Sequence, residues 1–181
     1  ILGLLAERPL SGYQIKKIVD IRFSFFWSES FGQIFPALKS LSAEGLAQEC
    51  PKESAGGRAA KTYQITLAGR EALVQWLSQP VEKESLRLEI LLKTYFSGYA
   101  APEVMLSHLT AFEQSHAQQL HILGLFQEEL LRIPDEDENH GDILRVIDFG
   151  LKANRAYLDW CRETRDYFTG KQARLYETTK E

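Results

Sequence analysis

Apolar residues recur along this chain first at helical spacing, then at strand spacing, then at helical spacing to the end. Residues 1 to 6 (Ile1, Leu2, Gly3, Leu4, Leu5, Ala6) read as the end of a buried helix that Pro9 stops. Ser11 is placed to cap a second helix, in which Ile15, Ile18 and Val19 share one face while Lys16 and Lys17 turn away. The aromatic stretch Phe23, Phe25, Phe26, Trp27 fits neither period. Ser30 followed by Gln33 has capping-box spacing, and Phe31, Ile34, Leu38 and Leu41 then make an apolar stripe along a third helix, residues 30 to 44, stopped by Gly45. Pro36 removes one hydrogen bond of that helix and should bend its first turns. Period two takes over in Leu46 to Cys50 and Lys61 to Ile65, which predict antiparallel strands joined by a loop containing Gly56 and Gly57. In the second strand Tyr63 and Ile65 face one side, Thr62 and Gln64 the other. Thr66 is placed to cap a further helix, with Leu73, Trp76 and Leu77 on one face and Pro80 at its end.

Beyond Pro80 the spacing is helical throughout. A helix over residues 82 to 97 carries Leu88, Leu91, Leu92, Tyr95 and Phe96, and Gly98 with Pro102 marks the turn after it. From 103 to 132, Leu109, Phe112, His116, Gln119, Leu123, Phe126 and Leu130 fall alternately three and four apart, the spacing of a coiled-coil seam. After an acidic linker from Pro134 to Gly141, a last helix over 142 to 167 lines one side with Ile143, Ile147, Leu151, Asn154, Leu158 and Cys161. The expected fold is therefore mostly α. Residues 1–80 form a winged helix-turn-helix domain and residues 81–181 a helical dimerisation domain. Three amphipathic helices have little interior to share among themselves, so a second copy is expected to cover Leu109, Phe112, His116, Leu123, Phe126, Leu130, Ile147, Leu151, Asn154 and Leu158.

The formal net charge of -4 speaks against nucleic acid only if the chain is treated as one body. Residues 1 to 80 hold nine Lys and Arg against seven Asp and Glu, and residues 81 to 181 hold twelve against eighteen. A phosphate backbone responds to the local field, so a mildly basic front half is compatible with DNA. A hydrophobic content of 44% supports a folded core. Cys50 and Cys161 have no paired spacing, no export signal opens the chain, and no apolar run approaches the roughly 18 residues of a membrane span, so a cytoplasmic location is expected. Because the chain begins at Ile1 inside an apolar segment, its natural start is expected upstream.

With Ile34, Leu38 and Leu41 facing the core, 100° per residue puts Gly32, Pro36, Lys39, Ser40 and Ala43 on the opposite side of the third helix, with Gln33 at its edge. A recognition helix shows this side to the major groove, where Gln pairs with adenine and Lys with guanine or phosphate. Gln33, Lys39 and Ser40 are the expected contacts. Gly32 lets an anion approach open backbone amides. Lys52, Arg58 and Lys61 flank the Gly56-Gly57 loop and suit a phosphate or minor-groove contact. Tyr63, Trp76 and Phe35 are expected in the core.

The stretch from Leu2 to Leu77 resembles the DNA-binding domain of the PadR family of bacterial transcriptional regulators. The residues that carry the likeness are Gly3-Leu4-Leu5, Pro9-Leu10-Ser11-Gly12-Tyr13-Gln14-Ile15, Ile34-Phe35-Pro36-Ala37-Leu38-Lys39-Ser40-Leu41, Glu44-Gly45-Leu46, and Lys61-Thr62-Tyr63-Gln64-Ile65-Thr66-Leu67-Ala68-Gly69-Arg70-Glu71. The family has its proline where Pro36 stands, and usually tyrosine where this chain has Phe35. The rear half, with Gly150, Tyr157 and Trp160, is similar to the longer C-terminal domain of the phenolic-acid-responsive branch. The resemblance implies a dimeric repressor of a palindromic operator in double-stranded DNA, released by a small aromatic effector.

Enzyme chemistry is not expected, because neither a phosphate-binding glycine loop nor a nucleophile elbow is present. His108, His116, His121 and His140 lack metal-ligand spacing. Asp135, Asp137 and Asn139 begin like a calcium loop, but Gly141 falls one position late and Val146 stands where the closing glutamate belongs. No cofactor or metal is expected. The competing reading is a helical adaptor that uses the winged domain for protein contact.

Overall fold

The computed structural model describes residues 1–50, 61–83, 86–136 and 138–178, with side chains to residue 174. They form two compact units, Ile1–Glu84 and Ser85–Glu181.

In the first unit the order is α1 (Leu2–Glu7), β1 (Leu10–Ser11), α2 (Gly12–Ile18), α3 (Phe31–Ala43), β2 (Ala47–Glu49), β3 (Thr62–Ile65) and α4 (Leu67–Ser78). Polar caps set the starts. The Ser11 hydroxyl accepts the Gln14 N–H at 3.3 Å, and Gln14 Oε1 accepts the Ser11 N–H at 2.8 Å, closing a capping box at α2. α3 starts at Ser30 and stops where Gly45 takes φ 73°, a conformation that glycine adopts without strain. Thr66 has two roles: its Oγ1 accepts the Gly69 N–H at 3.0 Å to start α4 and donates to the Gly45 carbonyl at 2.7 Å. Thr66→Ala removes both bonds, so it is expected to cost about 1–2 kcal/mol, read as a lower urea midpoint. A midpoint equal to that of the parent chain would contradict this role.

The strands pair antiparallel in the order β1-β3-β2, with Leu10 opposite Tyr63 and Ala47 opposite Ile65. Leu4, Leu5, Leu10, Ile15, Val19, Ile34, Leu38 and Ala47 form the buried core, and Leu41, Tyr63 and Ile65 pack against it. Each such aliphatic side chain contributes about 1.5–3 kcal/mol on full burial. α3 is thereby anchored by its Ile34–Leu38 side, and its other side is left to solvent. Three expectations are corrected here. Phe31 and Phe35 of α3 and Trp76 of α4 are exposed, not buried, because the aliphatic residues and the sheet already close the core. α2 continues as a π-helical turn, Val19–Phe23, which takes in only Phe23 of the aromatic stretch.

The second unit contains α5 (Glu89–Tyr95), α6 (Pro102–Arg132) and α7 (His140–Thr178), with a 3-10 turn, Ser97–Tyr99, before α6. α5 is shorter than expected, and α7 continues past residue 167 to Thr178. The two long helices run antiparallel. Glu103 accepts from Gln172 at 2.7 Å, Glu113 pairs with Arg165, and His116 Nδ1 lies 2.7 Å from Asn154 Oδ1, so rising numbers on α6 meet falling numbers on α7. Asn154 Nδ2 donates to the Gly150 carbonyl at 2.8 Å, which satisfies a buried amide. Ile90, Met105, Leu109, Cys161 and Phe168 form the core of this unit. Burial pushes the Cys161 thiol above its ordinary pKa.

This pairing bears on the expected subunit seam. Leu109, Leu123, Ile147, Leu151 and Asn154 are buried inside one chain, and Phe112, His116, Phe126, Leu130 and Leu158 are half-buried. The stripe of α6 is covered by α7, because a short connection lets two long helices fold back as a hairpin. The acidic linker starts α7: Asp135 Oδ1 accepts the N–H groups of Asn139 and His140 at 3.0 and 3.2 Å. Asp137 lies outside the described residues. No described helix is long and apolar enough to cross a membrane.

Candidate nucleic-acid interface

The side of α3 turned away from Ile34 and Leu38 presents Gly32, Gln33, Pro36, Lys39, Ser40 and Ala43, and all six are exposed. Their availability differs. Gln33 Oε1 accepts both the N–H and the hydroxyl of Ser30, each at 2.9 Å. Bidentate pairing with adenine needs that oxygen as acceptor, so Gln33 keeps only its amide NH2 to offer while it caps the helix. The Ser40 hydroxyl donates to Glu44 Oε1 at 2.6 Å and must leave it to donate to DNA. Lys39 is the one cation of α3. In this unit the described ion pairs engage Lys16 with Asp20, Arg22 with Glu7 and Lys61 with Glu49, and leave Lys39 without an acidic partner. It is the free positive charge of this face among the described residues.

The loop residues separate in the same way. Lys52 and Arg58 lie outside the described residues. Lys61 immediately precedes the return strand β3, with its Nζ 2.8 Å from Glu49 Oε1, and this hydrogen bond raises its pKa. Its charge is thus answered locally by the neighbouring strand. Gly32 is exposed at the start of α3, where a Cβ would meet only Ser30 Oγ at 3.5 Å, an ordinary contact. Small size is therefore not demanded there by the fold.

Sequence reasoning missed one group of residues on this surface. Tyr13, Phe31 and Phe35 stand together at the α2 edge of α3, with ring centroids 5.3 to 5.9 Å apart. A signal existed in the four-residue spacing of Phe31 and Phe35, which puts both on one ridge. Among the described residues no group of three His, Cys, Asp or Glu is placed to hold a metal ion.

A three-helix core with a two-stranded wing, whose third helix is capped, anchored on one side and polar on the other, defines a winged helix-turn-helix protein. Residues 1–75 match the family described as the transcriptional regulator PadR-like family, and residues 86–169 match the one described as virulence activator alpha C-term. Residues 1–75 thus form a domain of the PadR-like family of transcriptional regulators, and residues 86–169 one of the virulence activator C-terminal family. It is 37% identical over 98 residues to the negative transcriptional regulator PadR of Bacillus subtilis, a match that spans 53% of each protein. A probable transcriptional regulator of Mycobacterium tuberculosis is 22% identical over 95% of this chain and 97% of its own length. Among solved structures, the PadR-like regulator BC1756 of Bacillus cereus is 28% identical with a TM-score of 0.74, covering 94% of this chain and 96% of its own. Bacillus subtilis PadR in complex with operator DNA is 27% identical with a TM-score of 0.74, covering 92% and 95%. The same regulator in complex with p-coumaric acid is 27% identical with a TM-score of 0.67, covering 93% and 95%.

Proposed function

We propose that this chain binds a palindromic operator in duplex DNA as a homodimer, represses transcription there, and lets go when a small aromatic molecule binds. The outward side of α3 supports the first clause: a helix fixed by Ile34 and Leu38 holds Lys39, a cation with no acidic partner among the described residues, toward solvent. Lys39, Ser40 and the Gln33 amide are the proposed groove contacts. Gly32, Lys52, Arg58 and Lys61 are proposed for phosphates. Repression and effector release rest on the Bacillus subtilis relative, a negative regulator solved both with operator DNA and with p-coumaric acid.

Dimerisation rests on what the α6–α7 pair leaves uncovered. Ile122 and Leu125 of α6 and Ile143, Val146 and Phe149 of α7 are exposed. Isolated exposed apolar residues are normal, but this many on two long helices suit a second copy. The outer side of the hairpin is thus proposed as an interface together with the half-buried Phe112, His116, Phe126, Leu130 and Leu158.

The expected result is two chains on one palindromic duplex, with affinity falling about a hundredfold between about 50 and 200 mM salt if four phosphates are neutralised. Fluorescence anisotropy with light scattering on the same sample checks both. A monomer at micromolar concentration removes the dimer. Failure to bind any duplex at low salt removes the DNA reading.

A further inference from the structure

Three rings stand open at the α2 edge of α3, and the last of them, Phe35, lies one helical turn before Lys39. Tyr13 is 63% exposed, Phe31 44% and Phe35 41%, although the aliphatic core beneath them is closed. Core packing therefore does not account for their exposed faces. Phe31, Phe35 and Lys39 follow one another at four-residue steps, so they form one ridge of α3 that leads from the rings to the cation. Phe35 is held in place. A Cβ on Gly12 would lie 2.5 Å from its Cε1, so the ring sits directly on the Gly12 backbone. The Tyr13 ring meets it edge-on at 74° and the Phe31 ring stacks beside it at 19°. Lys16 Nζ lies 5.8 Å from the Phe31 centroid, which puts a cation on the far side of the shelf as well.

Base edges in the major groove offer one apolar group, the C5 methyl of thymine. We infer that Phe35, seated on Gly12 and braced by Tyr13 and Phe31, reads a thymine methyl next to the position met by Lys39, once in each half-site. This rests on the DNA-binding reading above. Phe35 is a specificity-determining residue here, not an anchor. Its rigid ring suits the task, because a fixed edge distinguishes a methyl from a hydrogen without paying to order a side chain.

The probe is the duplex most enriched by the full chain from a random pool, remade with deoxyuridine for thymidine at each symmetric pair of positions in turn. Deoxyuridine deletes the methyl and keeps every hydrogen-bonding group. One pair should weaken binding about fifteenfold, from about fourfold for each methyl buried. Phe35→Ala should bind the methylated and unmethylated duplexes within about twofold of each other, while Phe35→Tyr keeps the parent ratio. Because each ratio is taken within one protein, partial unfolding of a variant cancels. With the unaltered chain, 5-iodouracil at the sensitive position should crosslink to Phe35. The inference is overturned if no methyl matters, if Phe35→Ala keeps the parent ratio, or if the crosslink falls outside the Tyr13, Phe31 and Phe35 shelf. Tight duplex binding with every methyl dispensable would leave the DNA reading intact. Enrichment of no duplex at all would remove both.

Discussion

Lys39→Glu is expected to weaken duplex binding by about a hundredfold or more, with the fold unchanged. The lysine is exposed and has no acidic partner among the described residues, so its removal breaks nothing inside the protein and should shift stability by no more than about 0.5 kcal/mol. A groove contact from such a side chain is worth about 1–3 kcal/mol. The dimer loses it twice, and a carboxylate facing phosphates adds repulsion. Anisotropy on the selected duplex, paired with a thermal melt of the free protein, separates the two effects. Binding within about threefold of the parent, with an unchanged melt, would mean that Lys39 does not face DNA.

The second large effect falls on stability. Gly69 lies in the first turn of α4, and a Cβ built there would lie 2.0 Å from the Leu46 carbonyl oxygen and 2.8 Å from Ile65 Cγ1. Leu46 O cannot yield cheaply, because it accepts the Thr66 N–H at 3.1 Å, the bond that joins the β2 side of the wing to the start of α4. Gly69→Ala must push backbone against backbone by about an ångström. Strained insertion and a lost buried hydrogen bond together are expected to cost about 3 kcal/mol or more, a large share of a small domain's stability. Urea unfolding followed by circular dichroism reads the change. A cost below about 0.5 kcal/mol would mean that α4 is free to move off the hairpin.

The first unit was legible because local signals decide it. Ser11, Ser30 and Thr66 announce helix starts by side-chain chemistry, Gly45 announces a stop, and Tyr63 and Ile65 show period two on a strand with one packed face. Pro36 did not interrupt α3, since its missing hydrogen bond falls in the early turns of a helix that Ile34 and Leu38 hold down. β1 was not legible, because two residues carry no period, and its pairing with β3 is a long-range event. The seam of α6 shows the general limit. Heptad-like spacing says that a stripe must be covered, but not whether by the same chain or another. The same limit hid the aromatic shelf: Phe31 and Phe35 look like core by composition, and only the closed aliphatic packing beneath them leaves them outside. At the candidate site, the exposed face of α3 was legible from 100° geometry. That Gln33 and Ser40 are already engaged by Ser30 and Glu44 was not, since these bonds depend on rotamers.

The central claim is that the outward side of α3 lies against the phosphates and base edges of a duplex. The salt dependence of binding measures it most directly, for the parent chain and Lys39→Ala on the same palindromic duplex. A cation held in the major groove lies between two rows of phosphates and displaces counterions as a direct phosphate contact does, so each such lysine contributes up to about 0.9 to the slope of log affinity against log salt. A dimer that loses Lys39 from both copies should therefore show a slope shallower by up to about 1.8. Parallel lines for the two proteins, whatever their offset, would contradict the claim.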